Sequence, residues 1–248
     1  MAIIGGDWRH GAAYDRLLAG DRRCFAWEWL RRRPDYAAAW DAGHSPGRFG
    51  LIRLEDPTRD AVSARPIWDA RIDRGVLKGT ARTADTRDRL DLSTLRPLVT
   101  VVATERSAAH HVLLSDGLRS VRLDVSGAAP LAGPVTPIWR IEGILDVAAQ
   151  LNALAQLAAL ARSGRFARSL HRPERRARRW IEMLRVHDAL AAGATNREIV
   201  AGLFGVHFSE TPWRAGSGRS WRLRVQRLAA GARSCLSAGP STWLGARR

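Results

Sequence analysis

The alternation of apolar and polar positions divides the chain into a helical beginning, a β-like centre and a helical end. Residues up to about Gly43 follow a helical pattern, in which Asp21 is the expected N-cap of one helix and Pro34 opens the next. The aromatic residues of this part, Trp27 among them, are expected to pack in the core. Between residues 44 and 94 the pattern loosens. The stretches "FGLIRL" and "RPIWDARI" predict short strands, and residues 80–91 predict a solvated linker.

The centre predicts a small antiparallel sheet. Residues 98–104, "LVTVVAT", are rich in β-branched side chains, and "HHVLLSDGLRSVRLDV" predicts a hairpin that turns at Gly117. Residues 133–143 predict a further strand, with prolines near its start, where an edge tolerates them. From residue 144 onward the helical period dominates, with an apolar stripe at Leu151, Leu154, Leu157 and Ala161. The sequence therefore predicts an α+β fold.

The distribution of charge adds a functional prediction, mainly for the last third of the chain. The formal net charge is +16, and residues 162–248 hold eighteen arginines against five acids. Of the basic residues only Lys78 is a lysine, so nearly every cationic position carries a planar, forked donor. Such a balance favours a polyanionic partner, nucleic acid first and an anionic membrane surface second. We therefore interpret the C-terminal third as the basic, DNA-binding part.

The stretch "GATNREIVAGLFG" predicts a short and firmly capped helix. Thr195 and Glu198 have the spacing of a capping box, in which each side chain satisfies a free backbone donor of the other residue. Gly205 is placed to end the helix in a left-handed conformation. A helix of this kind suits the positioning helix of a helix-turn-helix, although the pattern alone is common.

The next predicted helix, residues 219–236, has a more distinctive surface. At 100° per residue, one side gathers apolar residues, and nearly opposite lie Arg219, Arg222, Gln226 and Arg233. The helix carries no carboxylate. Arginine can bridge guanine O6 and N7, and glutamine can bridge adenine N6 and N7. We therefore predict that Arg219, Arg222 and Gln226 contact bases; the alternative is a plain basic face on an arginine-rich protein.

Phosphate contacts are predicted for a second set of arginines, which flank this helix. The set consists of Arg175, Arg176, Arg178, Arg179, Arg214 and Arg233. Arg214 lies in the connection 206–217, which is much longer than the usual turn of a helix-turn-helix. Two interpretations stay open: the connection is a wing-like loop on phosphates, or an insertion that keeps the second helix out of the groove.

The same residues resemble a known group of regulators. The stretch "RRARRWIEMLRVHDALAAGATNREIVAGLFG", with the later "RVQRLAAGARSCLSAG", resembles the C-terminal helix-turn-helix-type domain of proteobacterial two-domain regulators. The stretches "FAWEWLRRRPDYAAAW" and "FGLIRLEDP" resemble their N-terminal transcriptional regulator-like domain. Such regulators include excision activators and antiactivators of integrative and conjugative elements.

The resemblance implies an activator of mobile-element genes, with an antiactivator as a partner. Together with the patterns above, it predicts a regulator-like domain at 1–75, a linker at 76–94, and a sheet plus DNA-binding domain at 95–248. Double-stranded DNA is then the partner of the C-terminal half, and RNA polymerase or an antiactivator that of the N-terminal half.

Other classes of function have weaker support. We find no nucleophile elbow, P-loop or Rossmann glycine pattern, and Cys24 and Cys235 have no metal-ligand spacing, so the sequence predicts neither an enzyme nor a cofactor. The start of the chain lacks a signal-peptide pattern, and residues 144–161 suit a packed helix better than a membrane span, which predicts a cytoplasmic, nucleoid-associated protein without a membrane partner. The main alternative is a protein-binding module that sequesters another regulator through the N-terminal aromatics or "LNALAQLAALA".

Overall fold

The computed structural model describes residues 7–84, 89–104, 107–209, 213 and 217–244. Its helices and strands make an α+β fold, which confirms the predicted class. The helices are α1 (Ala12–Asp15), α2 (Arg22–Arg31), α3 (Pro34–Asp41), α4 (Val147–Ser163), α5 (Ala177–Ala191), α6 (Asn196–Phe204), α7 (Ser217–Ser237) and α8 (Pro240–Leu244). The strands are β1 (Leu77–Thr83), β2 (Val99–Thr104), β3 (Ser107–Ser115), β4 (Ser120–Gly127) and β5 (Val135–Arg140).

The N-terminal helices begin where their capping residues predict. The side chain of Asp21 accepts hydrogen bonds from the backbone N–H groups of Arg23 and Cys24, at 2.8 and 3.3 Å, and so caps α2. Pro34 is the first residue of α3. The side chains of Phe25 and Trp27 are fully buried. Trp29 and Tyr36 are buried as well, whereas Trp40 is 38% exposed. Most of the N-terminal aromatics therefore belong to the core and are not available to the exposed groove that a sequestering module requires.

The strands predicted between residues 44 and 75 are reduced to a single bridge. Leu51 pairs with Trp68, and the N–H of Ile52 donates to the carbonyl of Ile67 at 2.9 Å. Both stretches carry apolar side chains because they pack on the N-terminal core, and this burial requires no extended ladder.

The central sheet has the order β2-β3-β4-β1-β5. The hairpin β3–β4 and the strands β2 and β5 match the sequence prediction. The sheet is mixed instead of wholly antiparallel, because β1 runs parallel to β4 and antiparallel to β5. Strand β1 lies inside the stretch predicted as a linker. Its composition is polar, but Leu77 and Ala81 are buried in the core, whereas Thr80 between them is exposed.

Helix α4 covers one face of the sheet. Ala153, Leu157 and Leu160 pack on the same cluster as the inward side chains of β1 and β4. The apolar stripe predicted for this helix is correct only at Leu157 and partly at Leu154, since Leu151 is 53% exposed. In the described part of the chain, no helix is long and apolar enough to cross a membrane.

The N-terminal helices and the C-terminal helices share one hydrophobic core. The ring of Phe25 in α2 lies 5.1 Å from that of Trp180 in α5, and Trp29 stacks on Trp243 in α8. The core continues through the buried residues of α5, α6 and α7. Residues on the two sides of the predicted linker are therefore packed together, although their sequences predict separate domains.

A buried group of charges reinforces this contact. Arg32 donates two hydrogen bonds of 2.7 Å to the carboxylate of Asp188 in α5, and both side chains are 3% exposed. The hydroxyl of Tyr14 donates to the same carboxylate at 2.6 Å, and burial together with this charge raises the pKa of Tyr14. Arg32 also pairs with Glu28, which in turn pairs with Arg31. The charges balance within the cluster, as burial requires.

Candidate nucleic-acid interface

Helix α6 has the caps that its sequence predicts. The N–H of Thr195 donates to a carboxylate oxygen of Glu198 at 2.7 Å, and the N–H of Glu198 donates to the hydroxyl of Thr195 at 3.3 Å. These hydrogen bonds lower the pKa of Glu198. Gly205 ends the helix with φ of 66°. The capping-box prediction is therefore confirmed.

Replacing Thr195 with alanine is expected to lower the free energy of unfolding by about 1 kcal/mol, because the cap side chain is lost at an exposed helix start. The measurement is the midpoint of urea unfolding. Ser220→Ala is the matched control, since Ser220 is exposed inside α7 and caps no helix start. Equal midpoints for the two variants would show that the capping box contributes nothing to stability.

Helix α7 packs against α5 and α6 on one side only. Val225, Leu228 and Ala232 are buried, and Phe204 at the end of α6 contacts Trp221 at a ring distance of 5.2 Å. Gly231 allows a close approach to α5, because a Cβ there would lie 2.9 Å from Cε of Met183. The apolar side predicted from the sequence is therefore the side that holds α7 to the other helices.

The opposite side of α7 presents two of the three predicted base-contacting residues to solvent. Arg219 and Gln226 are exposed, and so is Arg233, which is predicted on phosphate. In the described part of the chain, neither Arg219 nor Arg233 has a carboxylate within ion-pair distance. Arg227 is exposed on the same side, and sequence reasoning missed it. It lies two i,i+4 steps beyond Arg219, so the helical period alone could have found it.

Arg222 is placed differently from the rest of the predicted set. It is half-buried, and its guanidinium group donates to the carbonyl of Trp213 and lies 5.3 Å from the centre of that ring. Arg222 therefore links Trp213, which lies in the connection 206–217, to α7. Arg214, predicted on phosphate in that connection, lies outside the described residues.

Arg224 joins the three helices, a role that the sequence did not indicate. Its guanidinium lies 4.0 Å from the centre of the Phe204 ring and 5.5 Å from that of Trp221, and it pairs with Glu182 of α5 at 3.3 Å. A cation over an aromatic face is attracted by the ring quadrupole. These contacts hold α6 against the start of α7, while the side chain of Arg224 stays 47% exposed.

The predicted phosphate contacts gather at the start of α5. Arg175, Arg176, Arg178 and Arg179 are all exposed, and the last two occupy the first turn of the helix. The amino end of a helix carries a partial positive charge, so stability alone favours acids there. Here the first turn holds no acid, and only Glu174, whose carboxylate accepts from the N–H of Arg176 at 3.1 Å, stands nearby. The start of α5 is therefore better suited to bind an anion from solution than to stabilise the helix.

The two predicted sets lie at opposite ends of α7. Trp180 in the first turn of α5 contacts Trp243 at 4.7 Å, and Nε1 of Trp243 donates to the carbonyl of Cys235 at 3.4 Å. The start of α5 is therefore near the end of α7, which carries Arg233, whereas Arg219 is at the other end. Fourteen residues of helix separate these two arginines by about 21 Å.

His111 and the two cysteines have structural roles. Nδ1 of His111 lies 2.6 Å from the carboxylate of Asp124, which also pairs with the buried Arg122 at 2.8 Å. Cys24 and Cys235 are buried free thiols, and burial raises the pKa of Cys235 to about 11. Among the residues described, no group of three or more His, Cys, Asp or Glu side chains could hold a metal ion.

Two protein-family models match parts of the regions described above. Residues 7–66 match the proteobacterial transcriptional regulator-like domain. Residues 140–239 match a family described as a T6SS transcription factor DNA-binding domain, and this range includes α4 to α7 and all the arginines of the candidate interface. Neither a curated protein nor a solved structure matches the chain.

Proposed function

We propose that this two-domain DNA-binding transcriptional regulator recognises a specific double-stranded operator through α7 and activates genes of a mobile genetic element. The exposed arginine and glutamine face of α7, which carries no carboxylate, is the observation that supports the DNA-reading part. The activating role and the mobile-element genes rest on the resemblance to excision activators. RNA polymerase and an antiactivator are the protein partners that this role requires, at the cytoplasmic nucleoid.

Base recognition is assigned to the first half of α7. Arg219 and Gln226 are exposed, and their side chains can make the bidentate contacts that distinguish guanine and adenine in the major groove. Arg222 has five N–H donors, of which its contact with Trp213 uses one. It can therefore read a base while it holds the connection beside the groove, which favours the wing-like interpretation of that loop.

Phosphate binding is assigned to the start of α5 and to Arg233. These arginines lie at the other end of α7 from Arg219, so they meet the DNA backbone while the start of α7 enters the groove. Phosphate contacts set the position of the protein on the duplex, and base contacts select the sequence. We retain residues 1–75 and 95–248 as the two functional units, with 76–94 between them, although their helices share a core.

A protein-binding role, as in an antiactivator, is the second candidate, and one observation favours it. Ile144 and Leu145, just before α4, are each 88% exposed, and Leu151 in α4 is 53% exposed. Exposed large apolar side chains that cluster along the chain are typical of protein contacts. This surface is distinct from the arginine face, so one chain can carry both functions.

Titration against DNA tests the proposed function. Purified protein is mixed with labelled fragments that surround its own gene, at two salt concentrations, with random DNA as the competitor. A specific regulator binds one fragment at least about 1,000-fold more tightly than the competitor. Tight binding without preference would contradict sequence recognition, and no binding at low salt would favour the sequestering role.

Arg219→Ala and Arg178→Ala are expected to have different effects on the operator. Arg219→Ala should cost about 1–3 kcal/mol of discrimination at one base pair, because a bidentate base contact is lost. Arg178→Ala should weaken binding to all DNA about equally and reduce the log–log salt slope by about 0.9, because one phosphate contact is lost. The measurement is the affinity for operator variants over a range of salt concentrations.

Arg165→Ala is the control for both variants, because Arg165 is exposed outside α5 and α7. It should change neither discrimination nor the salt slope. If Arg219→Ala left the base preference intact, the assignment of α7 as the recognition helix would be wrong.

A further inference from the structure

A cavity of about 740 Å³ lies where the N-terminal helices meet the C-terminal half. Its walls come from the start of α2, the turn at residues 73–75, the first half of α4, and the segment 169–175 that leads into α5. Small-molecule sites have volumes of about 300–1,000 Å³ and often lie at such junctions between units. The size and position of the cavity therefore suit a ligand.

The wall carries acids as well as arginines, and two of the acids are buried behind their partners. The side chains of Asp73 and Glu174 are each 6% exposed; Glu174 pairs with Arg22 at 2.9 Å, and Asp73 pairs with Arg23 at 2.7 Å. Arg74 instead pairs at 2.8 Å with Asp146, which lines the same wall and is 35% exposed. The buried carboxylates therefore fix Arg22 and Arg23, whereas Arg74 is compensated at the surface of the cavity.

Two more arginines in the wall lack this compensation. Arg172 and Arg175 are exposed, and in the described part of the chain neither has a carboxylate within ion-pair distance. Arginine has a planar fork that matches carboxylate and phosphate groups. The open positive charge of the cavity therefore favours an anion.

His171 adds an unsatisfied polar group to the same wall. It is 9% exposed, its Nδ1 lies 3.0 Å from the carbonyl of Ala167, and its buried Nε2 has no hydrogen-bond partner among the described residues. Burial lowers the pKa of His171, so the ring is neutral near pH 7. With Nδ1 donating to the carbonyl, Nε2 is left as a buried acceptor beside the cavity.

We propose that this cavity binds a small anionic ligand, one that carries carboxylate or phosphate groups, as an effector of the regulator. The ligand is held by Arg172 and Arg175, together with Arg22. Its effect on DNA rests on the proposed function, because Arg175 belongs both to the cavity wall and to the phosphate-binding set. A bound anion neutralises Arg175 and lowers the affinity for the operator.

Calorimetric titration of the full chain without DNA tests the site. The probes are citrate, which carries carboxylates and a hydroxyl, and inorganic phosphate, each at fixed ionic strength. Arg172→Gln should weaken binding about 10- to 100-fold, the value of one hydrogen bond between charged groups. Ala149→Phe should also weaken binding, because Ala149 is an exposed position of α4 in the cavity wall, and the larger side chain takes up part of the space without changing the charge.

Arg165→Gln is the matched control, because it removes the same charge from an exposed position outside the cavity. Binding that is unchanged by Arg165→Gln and weakened in the two cavity variants supports the site. Absence of binding to both probes, or equal binding by all four proteins, would overturn it.

A second titration, against operator DNA with the better probe present, tests the effector role. The probe should weaken operator binding by the wild-type chain more than by Arg172→Gln at the same ionic strength. Binding in the cavity without this difference would overturn the effector role and leave DNA recognition intact, so the two proposals fail separately.

Discussion

Replacing Asp188 with alanine is expected to lower the free energy of unfolding by about 3–5 kcal/mol, because it leaves a buried charge without its partner. Arg32 and Asp188 are each 3% exposed and are joined by two hydrogen bonds of 2.7 Å. Without Asp188, Arg32 retains only Glu28, which already pairs with Arg31 and accepts from the N–H of Ala61 at 2.7 Å. The cluster then holds one uncompensated positive charge away from water.

The measurement is urea unfolding at neutral pH, followed by fluorescence from the buried tryptophans. Glu142→Ala is the matched control, because it removes an acid that pairs with Lys78 at 3.2 Å but is 48% exposed. Exposed pairs contribute at most about 1 kcal/mol. A loss of under about 1 kcal/mol for Asp188→Ala would show that the cluster is open to water.

Replacing Gly117 with alanine is expected to cost about 2–4 kcal/mol, through backbone strain and a steric clash at the tip of the β3–β4 hairpin. Gly117 has φ of 99°, and a Cβ at this position would lie 2.2 Å from the carbonyl oxygen of Val62. The carbonyl of Gly117 also accepts from Sγ of Cys24 at 3.7 Å, so the tip is held between two N-terminal segments. It cannot move aside without breaking these contacts.

Thermal unfolding of Gly117→Ala and Gly133→Ala tests this expectation. A Cβ at Gly133 meets nothing within 4 Å, and Gly133 is not among the residues with positive φ. Its substitution should therefore change the free energy of unfolding by no more than about 0.5 kcal/mol. Similar losses for both variants would mean that the hairpin tip is free of the N-terminal helices.

Local signals account for the features that sequence reasoning predicted. The cap at Asp21, the capping box of α6 and the turn at Gly117 each depend on a few neighbouring residues. The apolar side of α7 follows from the helical period, because its buried residues repeat at three- and four-residue steps. The α+β class follows from these elements.

Features that depend on distant partners escaped prediction. Strand β1 is polar in composition, and its parallel pairing with β4 joins residues more than forty positions apart, such as Leu77 and Leu123. The pair of Arg32 and Asp188 joins positions 156 residues apart. The contact of Arg222 with Trp213 removed that arginine from the freely exposed face, and no local pattern indicates such a contact. The candidate DNA face was predictable because helical period and charge are local properties.

The stacking of Trp29 on Trp243 and the edge-to-face contact of Phe25 with Trp180 have a mechanical consequence for regulation. These contacts join the N-terminal helices to α5 and α8, and α5 packs in turn against α7. If α7 reads DNA as proposed, a protein bound to the N-terminal surface would act on α7 through packed side chains, without first bending the chain between them. We then expect such a partner to shift the whole regulator on its operator.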